Sequence, residues 1–170
     1  MDNELMDIMP NMELHYFDIG TSSTPDIQLG GYGFTQMDEN SNPEESEKQY
    51  INQATKTTKV TGFSDEFPIT ADMIKNEPVV EHFYEIFRDR KRGTDAQVIH
   101  YIVETWNQVE ESGTPVANTY KCRKQVQSVI ITGKTGTPGE NMQFTGSLKS
   151  VSDFVDGTFN VSTKAFTPTI

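Results

Sequence analysis

The sequence predicts a mainly β fold, a β-sandwich or small barrel with one flanking α-helix. Short runs of alternating apolar and polar residues recur along the chain, separated by clusters of Gly, Pro, Asn and Ser. Only one stretch carries the 3.6-residue repeat of an amphipathic helix. The chain has 170 residues, which suits one domain and leaves enough length for a real core. No internal repeat is visible.

Residues 1–13 predict an arm ahead of a single domain spanning 14–170. Met1, Met6, Met9 and Met12 fall there among acids and Pro10, and methionine suits adaptable contact surfaces. Residues 14–19, Leu-His-Tyr-Phe-Asp-Ile, suit a short strand, followed by a turn over 20–26. Gly30, Gly31 and Gly33 then interrupt a strand-like run and predict a bulge or a close backbone approach. A long loop is expected over 35–49. Its segment 38–47, Asp-Glu-Asn-Ser-Asn-Pro-Glu-Glu-Ser-Glu, has no apolar residue and must face solvent or a partner. From Tyr50 and Ile51 to Thr61 the β-branched composition favours strand. Pro68 restricts the extended segment around Phe67 and Ile69 to a sheet edge or a strand start.

The helix is expected over 77–92. Asn76 is the candidate N-cap, and Val80, Phe83, Tyr84 and Phe87 form the apolar stripe. Arg88, Arg90, Lys91 and Arg92 complement the dipole at its end, and Gly93 is the expected stop. Beyond it, residues 96–106 are apolar at both parities, so both faces of that strand are expected to be covered. A polar loop over 107–114, a long strand over 116–132 and a turn over 133–140 follow. Residues 142–149 and 158–163 alternate as half-buried strands.

Charge narrows the function. The net charge is -11, and residues 1–50 hold eleven Asp and Glu against one Lys, so ten of the eleven net negative charges are N-terminal. Gripping nucleic acid through its phosphates needs clustered Lys and Arg and is disfavoured. The N-terminus has no basic and apolar signal pattern, and no apolar run approaches the ~20 residues of a membrane span. Cys122 is the only cysteine, so no intrachain disulfide forms.

Tests for chemistry fail one by one. Gly133-Lys134-Thr135 ends like a phosphate-binding loop, but Ser128 stands where the first glycine belongs and strand pattern follows. Gly31-Tyr32-Gly33 lacks the third glycine of a dinucleotide site. His82 and Glu85 make at most half a metal site, and His15 and His100 have no ligand-spaced partner. Lys121 and Arg123 favour a lowered pKa at Cys122, yet no base accompanies it. The expectation is a non-enzyme with no catalytic residue, no cofactor and no metal.

A succession of short blocks carries a resemblance. In order they are Glu47-Lys48-Gln49-Tyr50-Ile51-Asn52, Lys59-Val60-Thr61-Gly62-Phe63, Phe67-Pro68-Ile69-Thr70-Ala71-Asp72, Glu85-Ile86-Phe87, Arg92-Gly93-Thr94-Asp95-Ala96, Phe144-Thr145-Gly146-Ser147-Leu148 and Gly157-Thr158-Phe159. Over residues 15–167 this order resembles the tail tube (major tail) proteins of siphophages. Residues 1–13 lie outside the resemblance.

The resemblance implies the phage tail-tube fold and a virion tail component assembled in the bacterial host cytoplasm. It implies hexameric rings stacked into a hollow conduit for DNA ejection. DNA would transit the lumen without specific binding, and no membrane is involved. The implied partners are further copies of the chain and the tape measure, terminator and distal tail proteins. Met6, Met9, Met12, Asp38, Glu39, Glu44, Glu45, Tyr50 and Ile51 are the candidate inter-subunit contacts, with 1–13 or 38–49 bridging rings and some N-terminal acids facing the lumen. Two other readings stay open. One is the tube of a genome-free phage-derived particle or of a secretion system. The other is a β-sandwich module binding a sugar or peptide in an aromatic pocket near Trp106.

Overall fold

Tyr16 and Phe17 are consecutive, and a strand sends consecutive side chains to opposite faces. Both are buried, at 6% and 0% exposure. The sheet that carries them is therefore covered on each side. The computed structural model describes residues 5–169. Residues 1–4 of the expected arm, Met1 among them, and Ile170 lie outside the described residues.

The strands are β1 (Glu13–Asp18), β2 (Ile27–Leu29), β3 (Phe34–Met37), β4 (Pro43–Lys48), β5 (Thr57–Phe63), β6 (Glu66–Asp72), β7 (Gln97–Glu111), β8 (Thr114–Thr135), β9 (Gln143–Ser150), β10 (Val155–Asn160) and β11 (Ala165–Pro168). Nine of them form one antiparallel sheet in the order β2-β1-β7-β8-β9-β6-β3. β10 joins the first half of β8, and β11 pairs with β10. The sheet curls into a half-barrel with one helix, as the composition and periodicity predict.

Alternation sorts the side chains into two cores. On the inner face Phe17, Ile69, Ile102, Phe144 and Leu148 meet the one helix, α1 (Pro78–Arg88). On the outer face Tyr16, Tyr101, Val103 and Cys122 meet Phe159, beneath the β10–β11 pair. This second layer explains why β7 is apolar at both parities. Full burial of each Phe contributes roughly 1.5–3 kcal/mol, and Phe17, Phe67, Phe83, Phe144 and Phe159 are all at 0% exposure.

Where β9 crosses β8, the register shifts between Ile131 and Gly133. Gly146 lies opposite this shift, and a Cβ there would collide with the backbone carbonyl of Ile130. Neither strand yields without losing ladder bonds. Gly146→Ala is therefore expected to cost about 1–3 kcal/mol, the range of an overpacked interior. Urea unfolding of the monomer measures it, and an unchanged midpoint would show that β9 relaxes freely.

Several expectations change. The helix ends at Arg88, not at residue 92, and Gly93 does not stop it. Arg90 takes the left-handed position (φ 54), and the Lys91 N–H returns to the Ile86 carbonyl at 3.1 Å, a Schellman closure. Asn76 is not the N-cap. It has φ 69, and Glu77 holds the cap position ahead of Pro78. The buried stripe is Val79, Val80, Phe83 and Ile86, while Tyr84 and Phe87 are half-buried at its margin.

Pro68 sits in a strand paired on both sides, not at an edge. It is tolerated because β3 ends at Met37. The Pro68 carbonyl still accepts from the Asp38 N–H (3.3 Å), so the missing donor of Pro68 faces the end of that short ladder. Residues 107–114 are not a loop either. The β7–β8 ladder continues to a two-residue turn, with Ser112 at φ 52 and Gly113 at φ 78, the backbone of a primed hairpin turn.

The largest change concerns residues 35–49. They are not one loop, because 43–48 form β4, paired antiparallel with β5 as a separate two-stranded sheet. Tyr50 and Ile51 lie in the turn region between the two strands rather than in a strand. Every residue of β4 is exposed, and only Gly62 of β5 is half-buried.

Candidate assembly surfaces

The hairpin of β4 and β5 is held firmly at its root. Asn40 exchanges backbone hydrogen bonds with Glu66 (2.9 and 2.8 Å), the Asn42 side chain donates to the Ser64 carbonyl (3.0 Å), and Ser64 N–H donates to the Ser41 carbonyl (3.1 Å). Glu39 accepts both arms of the Arg123 guanidinium at 2.8 Å each, with Glu104 at 3.9 Å on the other side. Glu39 is thus engaged within the subunit. Asp38 accepts from the Gln36 amide at 2.7 Å and stays exposed.

Above the root nothing packs on either face. Glu44 and Glu45 have no cation within 4.0 Å among the described residues, whereas Glu47 pairs with Lys56 at 2.9 Å. Lys48 lies 4.9 Å from the Tyr50 ring centroid. The exposed apolar side chains of the hairpin are Tyr50 (53%), Ile51 (109%), Val60 (55%) and Phe63 (65%). The last two went unrecognised in the sequence, because their run looked like an ordinary half-buried strand.

The arm is the second bare surface. Leu5, Met6, Ile8 and Met9 are exposed, and a short 3-10 turn, Pro10–Met12, leads into β1. Met12 is half-buried and belongs to the root of the arm, since Thr105 Oγ1 donates to its carbonyl at 2.6 Å. Met6 and Met9 lie on the arm, whereas Glu44, Glu45, Tyr50 and Ile51 belong to the β4–β5 hairpin.

Open sheet edges form the third surface. β2, β3 and β11 are edge strands, β1 pairs with β7 only as far as Glu104, and both edges of the β4–β5 ribbon are unpaired. Their free N–H and C=O groups are templates for strands of another chain.

A fourth surface is a groove of about 560 Å³ where the end of α1 meets β8. Phe87, Ile130 and Ile131 make an apolar floor, and Arg90, Lys91 and Arg92 make a basic rim.

The titratable interior is a hydrogen-bonded chain. Gln127 donates through Nε2 to Gln125 Oε1 (2.9 Å), so its own Oε1 accepts from His100 Nδ1 (2.9 Å). His100 Nε2 then accepts from His15 Nδ1 (2.9 Å), and His15 Nε2 lies 3.3 Å from Glu13 Oε1. At the other end Gln125 donates to Asp65 (2.9 Å) and to the Ser152 carbonyl (3.0 Å). Burial, reinforced by His15 and Arg123, holds the His100 pKa well below 6.5. The hydrogen bond from His15 lowers Glu13. Sequence spacing could not reveal this chain, because His15 and His100 come from strands 85 residues apart.

Cys122 departs from expectation. It is 3% exposed, and burial pushes its thiol up to about 12 despite the neighbouring Arg123. Among the described residues no group of three His, Cys, Asp or Glu side chains could hold a metal ion, and no helix is long and apolar enough to cross a membrane.

No protein-family model and no curated protein matches the chain. Among solved structures it is similar to a chain in the six-fold symmetrised cryo-EM structure of the anti-feeding prophage (AFP) baseplate. The likeness covers 89% of this chain and 96% of that one, with a TM-score of 0.51 and 8% sequence identity. At that identity it is a likeness of fold.

Proposed function

We propose that this chain is a structural subunit of a phage-type tail tube, acting by self-association rather than by catalysis. The observation that carries the reading is the β4–β5 hairpin, a two-stranded ribbon bare on both faces. Such a ribbon is marginal in water by itself and gains stability when another surface covers it. Open edges at β2, β3 and β11 offer further sites for pairing. Contacts that repeat head to tail close into rings or extend into filaments. The fold likeness to a chain of a prophage-derived baseplate supports a phage-tail-like component, and the reading as a tube subunit is taken from the sequence resemblance.

The charge fits a conduit. A net charge of -11 repels a polyanion, and at physiological salt the repulsion reaches about 8 Å from the wall. With the N-terminal acids facing the lumen, DNA would slide rather than stick, since holding it by counterion release takes a wall of Lys and Arg. The tube of a phage-derived particle is the second reading, favoured by the anti-feeding prophage neighbour. Both readings require the same assembly.

Negative-stain electron microscopy of the purified chain at rising concentration tests the proposal. The expected result is hollow filaments of uniform diameter. A monomer at every concentration counts against a tube, and a tube map with a basic lumen counts against sliding.

A further inference from the structure

We propose that the arm of one copy, residues 5–9, adds as a strand to the free edge of β8 in a second copy. The inference rests on the self-assembly reading and names the two surfaces that meet.

β8 outruns its neighbour. β7 starts at Gln97, opposite Ser128, while β8 continues to Thr135 with β9 on its other side. No described strand pairs with residues 129–135 on the β7 side. Alternate residues of an antiparallel strand aim both backbone groups to one side, so this edge presents unpaired N–H and C=O groups. The chain ahead of β7 does not cover it, because Gly93–Ala96 is a 3-10 turn. The groove of about 560 Å³ lies between that turn, the end of α1 and residues 128–131, so the edge is open where the groove is.

Both faces of the edge are apolar. Val129 and Ile131 face the inner core beside Phe87, and Ile130 points the other way and is exposed. A strand laid here needs apolar side chains at both parities. The α1 side also carries Arg90, Lys91 and Arg92, none of which forms an ion pair among the described residues. Arg90 lies 4.7 Å over the Phe87 ring, so cation and apolar wall stand together.

The arm combines these properties within five residues. Leu5, Met6, Ile8 and Met9 are apolar at both parities, Asp7 stands in the middle, and all five are exposed and outside any strand or helix. As a strand they span about 13 Å, so acid and apolar side chains reach one groove together. With Met6 and Ile8 over Ile130, alternation turns Leu5, Asp7 and Met9 toward Phe87 and the basic rim. Backbone bonds to β8 supply affinity, and the side chains set the register.

The occupant must come from another copy. β1 starts at Glu13 opposite Glu104, whereas the free edge starts beyond Ser128 opposite Gln97. Glu104 and Gln97 are seven residues apart on β7, about 23 Å of strand. Only residues 10–12 separate the docking segment from β1, a reach of about 10 Å when fully extended. Thr105 holds the Met12 carbonyl beyond Glu104, farther still from the groove. The two surfaces thus lie at opposite ends of one strand, and head-to-tail use of them propagates from copy to copy.

Directed cross-linking decides it. Ile130→Cys is combined in one chain with Met6→Cys, with Ile8→Cys or with Asp7→Cys, while native Cys122 is buried and stays out of the reaction. Oxidation under assembly conditions is expected to give a ladder of disulfide-linked multimers from the Met6 or the Ile8 combination and none from the Asp7 combination. Monomers alone from both the Met6 and the Ile8 chains overturn the docking. An equal ladder from the Asp7 chain overturns the strand geometry.

A second variant carries Leu5→Ser, Met6→Ser, Ile8→Ser and Met9→Ser. These residues belong to neither core, so the monomer is expected to melt with the parent. The concentration needed for filaments is expected to rise roughly a hundredfold or more. Filaments from this variant at the wild-type concentration overturn the inference and leave the tube reading standing. A wild-type chain that never assembles overturns this inference and the tube reading together.

Discussion

Replacing residues 43–63 by a short Gly-Ser turn is expected to leave a folded monomer that no longer forms filaments. The ends to be joined are already adjacent, because the Ser64 N–H reaches the Asn42 carbonyl at 3.3 Å. The deleted ribbon contributes no residue to either core. Stability of the nine-stranded sheet should therefore hold, with Tm within about 3 °C of the parent, the shift that roughly 1 kcal/mol produces at this chain length. Assembly should be lost, because the deletion removes the surface that lacks support in the isolated subunit. Differential scanning calorimetry and electron microscopy read the two quantities separately. Normal tubes from the shortened chain would remove the hairpin from the assembly mechanism and turn attention to the arm at Met6 and Met9. An unfolded product would show instead that the hairpin stabilises the subunit itself.

The second large effect is a loss of monomer stability in weak acid. His100 is at 0% exposure, stacked 4.4 Å from Phe17 and edge-on to Phe67 at 5.1 Å. The polar and charged groups facing it are His15 and Glu13 from β1 and Gln127, Gln125 and Arg123 from β8, with Asp65 beyond. Burial keeps its folded pKa well below 6.5. Below pH 6.5 the unfolded chain binds a proton at this position and the folded chain does not. Stability therefore falls as pH falls, by about 1.4 kcal/mol per pH unit, until the folded pKa is reached. The loss from this one group begins below pH 6.5 and continues down to the lowered folded pKa.

His82, also lowered by burial, adds to the slope in the same range. The comparison that isolates His100 is the His100→Asn variant, whose amide can still donate to Gln127. Its stability should fall less steeply than the parent's as pH drops below 6.5. Glu13 acts in a different window. Its folded pKa is lowered from 4.5, so its contribution is complete above that pH and disappears as pH falls further. Urea unfolding of the monomer across pH 4 to 8 measures all of this, and equal slopes in the two proteins would remove His100 from the account.

Elements whose side chains alternate against a core were legible. β1, β6 and β9 fall close to their expected spans, because Phe17, Phe67, Ile69, Phe144 and Leu148 mark one face by residue type alone. β4 was not legible. Glu-rich segments disfavour strand, and what makes 43–48 a strand is a ladder with 57–63, a partner that local propensity does not encode. Gly93 drew the helix too far for a related reason. Left-handed geometry at Arg90 satisfies the last carbonyls earlier, at a residue type that gives no warning. Of the expected contact residues, Glu44, Glu45, Tyr50, Ile51, Met6 and Met9 are free on the surface, whereas Glu39 is spent on Arg123.

By itself the sequence determined the mainly β class, the single helix and the acidic N-terminal third, since periodicity and charge are properties of residues taken in order. Only the tertiary structure decided which strands are neighbours. It brought His15 to His100, Glu39 to Arg123, and the end of α1 to β8. The reason is physical. Alternation tells a strand which face to bury, but backbone hydrogen bonds are the same for every residue, so the choice of partner emerges only when two cores are packed at once.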